Sequence, residues 1–264
     1  MTELALPILI FIFGTAIGSF LNVVIHRLPR DKSIVRPGSA CTGCGAAIRW
    51  YDNVPIIGYL VLRGRCRDCG AKISPRYPLV ELLTGIVFYL VYRECGLSFA
   101  LGVNLVFSAL LIAISFIDLD FRIIPDILSA GGMAVGLALA GLHSLILSTY
   151  EPFLDSLIGV LLGGGILWAI AFFYELLRKR EGMGGGDIKL LAMIGSFCGI
   201  KGVIFSLVAG SMAGTIVGIP LMLIKGEGTK YALPFGPFLS FGALLYVLIG
   251  QVLTNAVFGI LAPR

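Results

Sequence analysis

Eight stretches of apolar residues, parted by short polar segments, leave this chain little choice of solvent. They run from Leu4 to Ile25 and at about Leu79–Tyr92, Leu97–Ile117, Ile127–Leu147, Leu154–Leu177, Leu190–Ile200, Val203–Ile224 and Phe238–Leu261. A helix crossing a bilayer needs ~20 apolar residues, so eight of them use roughly 160 and leave about 100 for everything else. Only 13% of the 264 residues are charged, against about 25% in an ordinary soluble domain. The expected fold is therefore an all-α polytopic membrane protein with about eight transmembrane helices. Leu190–Ile200 and Val203–Ile224 are parted only by Lys201 and Gly202. Fused, they would give about 35 residues, too long to cross even with tilt, so they are read as two spans.

The charges fall between these runs and report topology. Only Glu3 precedes the first run, while Arg27 and Arg30 follow it. That polarity is opposite to a signal peptide's, so residues 1–25 are read as a retained span with its N-terminus outside. Alternate loops then place 17 of the 20 Lys and Arg residues in the cytoplasm: ten in 26–78, Arg122, four in 178–189 and two in 225–230. Arg93, Lys201 and Arg264 remain outside. The net charge of +5 is thus a topological excess and not a nucleic-acid-binding patch, and no nucleic-acid partner is expected.

Residues 26–78 are the one long polar segment and the expected cytoplasmic domain between helices 1 and 2; residues 79–264 form a seven-helix membrane domain. Within 26–78, Cys41-Thr-Gly-Cys44 and Cys66-Arg-Asp-Cys69 carry similar tails, Gly-Ala-Ala-Ile48 and Gly-Ala-Lys-Ile73. Two Cys-x-x-Cys knuckles at this spacing match a zinc ribbon, in which four thiolates satisfy a tetrahedral ion. A closed four-thiolate site leaves no open coordination position, so the zinc is expected to be structural. Two disulfides are the alternative, disfavoured by a reducing cytoplasm. Cys95 and Cys198 lie far apart in sequence and are read as lone packing residues.

Four carboxylates collect at span ends on the cytoplasmic side: Asp118, Asp120, Asp126 and Asp187. Asp126 follows Pro125 at the start of a run and reads as a helix cap; Asp120 reads as a solvated interfacial charge. Asp187 follows Gly184-Gly185-Gly186, a run that lets another chain approach closely. Two carboxylates within reach of one another do not both ionise easily, so one keeps a proton while the other acts as base on water. That is aspartyl proteolysis. His26 and His143 are the only histidines and parity puts them on opposite faces, which removes the metalloprotease and triad chemistries.

A longer ordered set of motifs carries a resemblance. It comprises Gly18-Ser-Phe-Leu-Asn22 with His26-Arg-Leu-Pro29, both knuckles, Asn53-Val-Pro55, Tyr59-Leu-Val-Leu-Arg63-Gly64 and Arg76-Tyr-Pro-Leu-Val-Glu81. Ile117-Asp118-Leu-Asp120, Pro125-Asp126, Gly182-Met-Gly-Gly-Gly-Asp187-Ile-Lys189 and Pro234-Phe-Gly-Pro237 complete it. In these the chain resembles the bacterial type IV prepilin peptidase family, Gly-x-Gly-Asp intramembrane aspartyl proteases that also N-methylate the new pilin N-terminus. The resemblance implies Asp118 and Asp187 as the catalytic pair and S-adenosylmethionine as methyl donor. It also implies prepilins or pseudopilins as substrates, cut after a glycine that ends a basic leader, at the cytoplasmic face of the bacterial inner membrane.

The sequence contains no Gly-rich strand-to-helix turn of the nucleotide-binding kind, so no donor-binding residues follow from motif. Glu81, an acid just inside the second span, could face the donor or the amine. The competing function is a transporter or channel whose Asp residues relay protons or bind cations.

Overall fold

The structure is a computed structural model that describes residues 2–179, 184–225 and 233–250. Arg180, Gly182, Met183, the 226–230 part of the last basic loop, the 251–261 end of the final apolar run and Arg264 lie outside the described residues. Helices make up most of the rest, and no extended strands occur among the described residues. The chain divides into two compact units, Met1–Leu101 and Gly102–Arg264.

In the first unit, α1 (Thr2–Arg27) and α3 (Arg76–Cys95) pack antiparallel, and the polar segment between them includes the short α2 (Ile57–Val61). Small residues let the two backbones close up. A β-carbon on Gly14 would lie 2.8 Å from Gly85 Cα, and one on Gly18 would lie 2.7 Å from Glu81 Cα. One turn further on, Asn22 Nδ2 donates to Tyr77 O at 3.0 Å. Close backbone approach and interhelical hydrogen bonds hold helices together where lipid removes the hydrophobic drive. Beyond α1, the Arg27 guanidinium donates to Ser33 O, Pro37 O and Gly38 O, folding the polar segment back over the helix end.

The second unit contains α4 (Phe99–Phe121), α5 (Asp126–Leu147), α6 (Glu151–Arg178), α7 (Gly185–Lys225) and α8 (Gly236–Leu245), the last continued by a wider turn over Tyr246–Gly250. Its core joins Phe107, Leu111 and Ile114 of α4, Leu167 of α6, Leu190 to Ile194 of α7 and Leu239 of α8. Large apolar side chains such as Leu145, Leu161 and Ile216 stay exposed on the outside, as a lipid-facing surface requires. Among the described residues five helices are long and apolar enough to cross a membrane, which makes this a multi-pass membrane protein. The fifth is the whole of α7, and it is broken.

The break falls at Gly199 (φ 63°, ψ −164°), a conformation that glycine adopts without strain. The Asp155 carboxylate of α6 accepts the N–H of Ile200 at 3.3 Å, satisfying a donor freed by the break. The chain reverses here, because Gly186 at the start of α7 and Gly236 at the start of α8 both lie against Ile124 while Gly218, late in α7, meets Leu233. In the first limb, 185–198, Gly195 packs on Gly159 and Gly163 on Leu191, antiparallel to α6. In the second, 200–225, Gly202 meets Tyr246, Gly210 meets Phe238 and Gly218 meets Leu233, antiparallel to the descending α8. The expected separation into two apolar limbs therefore holds, but the turn lies at Gly199 and not at Lys201-Gly202.

Candidate active site and metal centre

The carboxylate site lies in the second unit, where three segments remote in sequence meet. Asp118 sits one turn before the end of α4, which closes with the N–H of Arg122 (φ 55°) on Asp118 O at 2.9 Å. Its side chain turns inward and is 5% exposed. Asp118 Oδ2 accepts the backbone N–H of Gly236, in the Pro234-Phe-Gly-Pro237 turn that starts α8, at 3.0 Å. A β-carbon at Gly236 would lie 2.6 Å from that oxygen and 3.2 Å from Ile124 Cδ1, so only glycine fits this approach.

Asp187 stands in the first turn of α7, half-buried, with its N–H directed to Gly184 O at 3.2 Å. Ile124 links the parts: a β-carbon on Gly186 would come 3.0 Å from Ile124 Cβ. Ile124 also lies 3.2 Å from the β-carbon position of Gly236, so it joins the Asp118 and Asp187 segments. Beside them, β-carbons at Gly184 and Gly185 would meet nothing within 4 Å among the described residues.

The other two acids are not drawn into this pair. Asp120 is exposed. Asp126 is the first residue of α5 and makes no cap, contrary to its reading from sequence; Pro125 occupies the cap position without a side-chain bond. Its Oδ1 instead accepts Lys189 Nζ at 2.6 Å, tying the start of α5 to the first turn of α7. Proline before Asp126 suggested the cap, but the partner 63 residues away decided its role. The Gly236 N–H was also missed, since nothing in Pro-Phe-Gly-Pro marks a hydrogen-bond donor to a distant carboxylate.

The metal-ligating residues lie in the first unit. In each knuckle the first cysteine N–H donates to the carbonyl five residues on, Cys41 to Ala46 at 2.8 Å and Cys66 to Ala71 at 2.8 Å. Glycines at positive φ, Gly45 and Gly70, complete the turns, and single bridges Ala40–Ala47 and Arg65–Lys72 close them. The sulfurs of Cys41, Cys44, Cys66 and Cys69 all lie within 4.8 Å of one another, and none forms a disulfide. Backbone N–H groups of Cys44 and Gly43 pull the Cys41 thiol down to about 6, while the neighbouring thiols push Cys69 up to about 12. Outside the cluster, Arg67 forms a two-point pair with Asp52 at 2.8 and 2.6 Å and lies over the Tyr51 ring. Cys95 and Cys198 form no disulfide and lie apart from the cluster.

Glu81 is buried at the α1–α3 contact, where Oε2 accepts the N–H of Ile56 at 2.7 Å.

Comparison with known proteins matches two family models along the chain. Residues 12–95 match the bacterial peptidase A24 N-terminal domain, and residues 105–219 match the type IV leader peptidase family. The division follows the two structural units. A relative from Myxococcus xanthus is 41% identical over 235 residues, covering 86% of this chain and 69% of its own length. One from Aeromonas salmonicida is 35% identical, covering 94% and 92%, and one from Pseudomonas aeruginosa is 32% identical, covering 96% and 93%. Each is named prepilin leader peptidase/N-methyltransferase. No solved structure matches the chain.

Proposed function

Because the chain belongs to the type IV leader peptidase family, we propose that it removes the leader of prepilins or pseudopilins at the cytoplasmic membrane face, with Asp118 and Asp187 as the proteolytic pair. The observation that supports this reading is that Ile124 lies against both Gly186, next to Asp187, and Gly236, whose N–H fixes Asp118. One carboxylate takes a proton from water as the oxygen attacks the scissile carbonyl carbon, and the other donates a proton to the carbonyl oxygen. Collapse of the tetrahedral adduct breaks the C–N bond, and the leaving amine takes up a proton. The substrate must reach the pair as extended chain, because a helical backbone hides its carbonyls.

The domain plan is 1–25 as first span, 26–78 as a cytoplasmic zinc ribbon and 79–264 as the protease-bearing membrane domain, with eight spans when α7 counts as two. The excess of basic residues in 26–78 supports the cytoplasmic side. Zinc fits the four thiolates: a tetrahedron with Zn–S bonds of ~2.3 Å has edges of about 3.8 Å, and Cys41 Sγ to Cys69 Sγ is 3.8 Å. The ion would hold the two knuckles together and take no part in chemistry. The same enzyme methylates the amine that cleavage exposes, with S-adenosylmethionine as donor. Leader recognition does not come from bulk charge, since a basic leader meets a basic domain.

Mass spectrometry of a pilin recovered with and without this protein tests the reading. The expected product lacks its leader and carries one methyl on the new N-terminus. An intact leader in the presence of folded protein would refute the peptidase, and an unmodified new N-terminus would refute the methyl transfer alone.

A further inference from the structure

The middle of the polar segment reaches below the polar end of α1. Gly18 lies seven residues, about 10 Å, inside Ile25, the last residue of the first apolar run. A β-carbon on Gly18 would come 2.7 Å from Glu81 Cα, so Glu81 of α3 stands at that level. Its carboxylate in turn accepts the N–H of Ile56 at 2.7 Å. Asn53 and Pro55 also line a cavity of about 380 Å³ with Ala16, Ser19 and Phe20 of α1. The turn at residues 53–56 is thus held beside the apolar stretch of a helix long and apolar enough to cross a bilayer.

The short helix that follows this turn is two-faced. Gly58 of α2 faces the protein, since a β-carbon there would run into Asp52 O, and Tyr59 turns back onto Gly64. Ile57, Leu60 and Val61 stand at i, i+3 and i+4, the spacing of one helical face. They are 58%, 66% and 67% exposed. On α3, Leu79, Leu82 and Leu83 are exposed around Glu81, so lipid already borders the level at which Ile56 is pinned. Exposed apolar residues gathered on one face mark a contact surface.

An irregular turn at bilayer depth has to satisfy its backbone donors without water. Here Ile57 N–H donates to Pro55 O at 2.6 Å, Gly58 N–H to Val54 O at 2.8 Å and Asn53 N–H to Arg49 O at 3.2 Å. Ile56 N–H takes the carboxylate of Glu81, whose other hydrogen-bond partner is the Ser19 side chain. Burial of an acid between α1 and α3 thereby acquires a structural reason: it closes the turn. Five residues of helix span only about 7.5 Å, far short of a ~30 Å hydrocarbon core, so the segment has to return to the side it came from. Arg63 and Arg65, both exposed, follow it, and their guanidinium groups suit lipid phosphates at the interface.

We propose that residues 53–61 form a membrane-dipping turn and helix, with Ile57, Leu60 and Val61 seated among the lipid acyl chains of the leaflet at the Arg27 end of α1. The polar segment is then held at both of its ends by α1 and α3 and in its middle by lipid, which fixes the cysteine knuckles against the membrane plane. This needs only the membrane placement of α1 and holds independently of the peptidase and methyltransferase readings. Among possible occupants the bilayer is favoured by the depth of the Glu81 contact and by the lipid-facing leucines of α3.

The test uses the purified full chain in lipid nanodiscs. Trp50 and Trp168, its two tryptophans, are replaced by phenylalanine, and Leu60→Trp supplies a single reporter; Ile57→Trp in the same background is a second reporter on the same face. Emission is measured in discs whose phosphatidylcholine is brominated on its acyl chains, and separately with iodide in the water. The expected result is a loss of at least about half of the emission to the brominated lipid and little to iodide, at the depth of a helix seated ~5–10 Å into the interface. Quenching of both reporters by iodide and not by brominated lipid would place the face in water and overturn the proposal. Quenching by neither would show the face covered by protein, the second unit or a second copy, and would overturn it equally.

Discussion

The cysteine centre and the carboxylate site are built on opposite plans. Each knuckle folds on itself: its N–H, carbonyl and glycine partners lie within nine residues, and only the pairing of the two knuckles spans a longer loop. The carboxylate site has no such local frame. Asp118, Asp187 and Gly236 come from the end of one helix and the starts of two others, and each is positioned by packing of the whole second unit. A local plan concentrates stability in a few ligands, whereas a distributed one places geometry under the control of helix contacts. The two regions should therefore fail differently.

The largest expected effect is on the metal centre. Replacing any of Cys41, Cys44, Cys66 or Cys69 by serine, or stripping the metal by a chelator, removes a share of a binding energy that reaches ~10–16 kcal/mol in small zinc domains. Metal analysis should then show less than one zinc per chain, and limited proteolysis should open residues 26–78 while the second unit stays resistant. A folded, protease-resistant 26–78 segment without metal would end the local plan.

Gly236→Ala sharpens the distributed one. The added β-carbon meets Asp118 Oδ2 at 2.6 Å, and a displacement of that kind in a reacting group costs up to about a hundredfold in rate. Cleavage by purified protein should fall by about tenfold to a hundredfold, with metal content unchanged. Asp126→Asn removes only an exposed pair with Lys189, worth about 0.5 kcal/mol, so cleavage should drop a few-fold at most.

The smallest effect belongs to Asp52. The Arg67 guanidinium beside it holds its carboxyl below the usual range. A depressed folded value means that the pair's contribution is present above the unfolded carboxylate value and is lost as pH falls through the folded one. Melting of Asp52→Asn should thus lie slightly below that of the parent at neutral pH, and the gap should close below about pH 4.

How far each region could be read from sequence follows from the same contrast. The clustering of the four cysteines was legible because a knuckle is a short pattern with a duplicated tail. Asp118 and Asp187 stand out in the sequence as acids at span ends beside a glycine run. The Gly236 contact and the Lys189–Asp126 pair were not legible, because a hydrogen bond across 118 residues leaves no local trace. The turn at Gly199 lies two residues before Lys201 for a related reason. Hydropathy marks Lys201 as the interruption, but the backbone turns where glycine accepts φ 63° and where Asp155 waits for the freed N–H.

The central claim, that Asp118 and Asp187 act as one proteolytic unit, is tested most directly by single-turnover leader cleavage with purified Asp118→Asn and Asp187→Asn in detergent. Each should lose at least ~10²–10⁴-fold in rate, the scale of a lost acid or base, while zinc content and membrane insertion match the parent. Turnover by either variant within a few-fold of the parent would contradict the account.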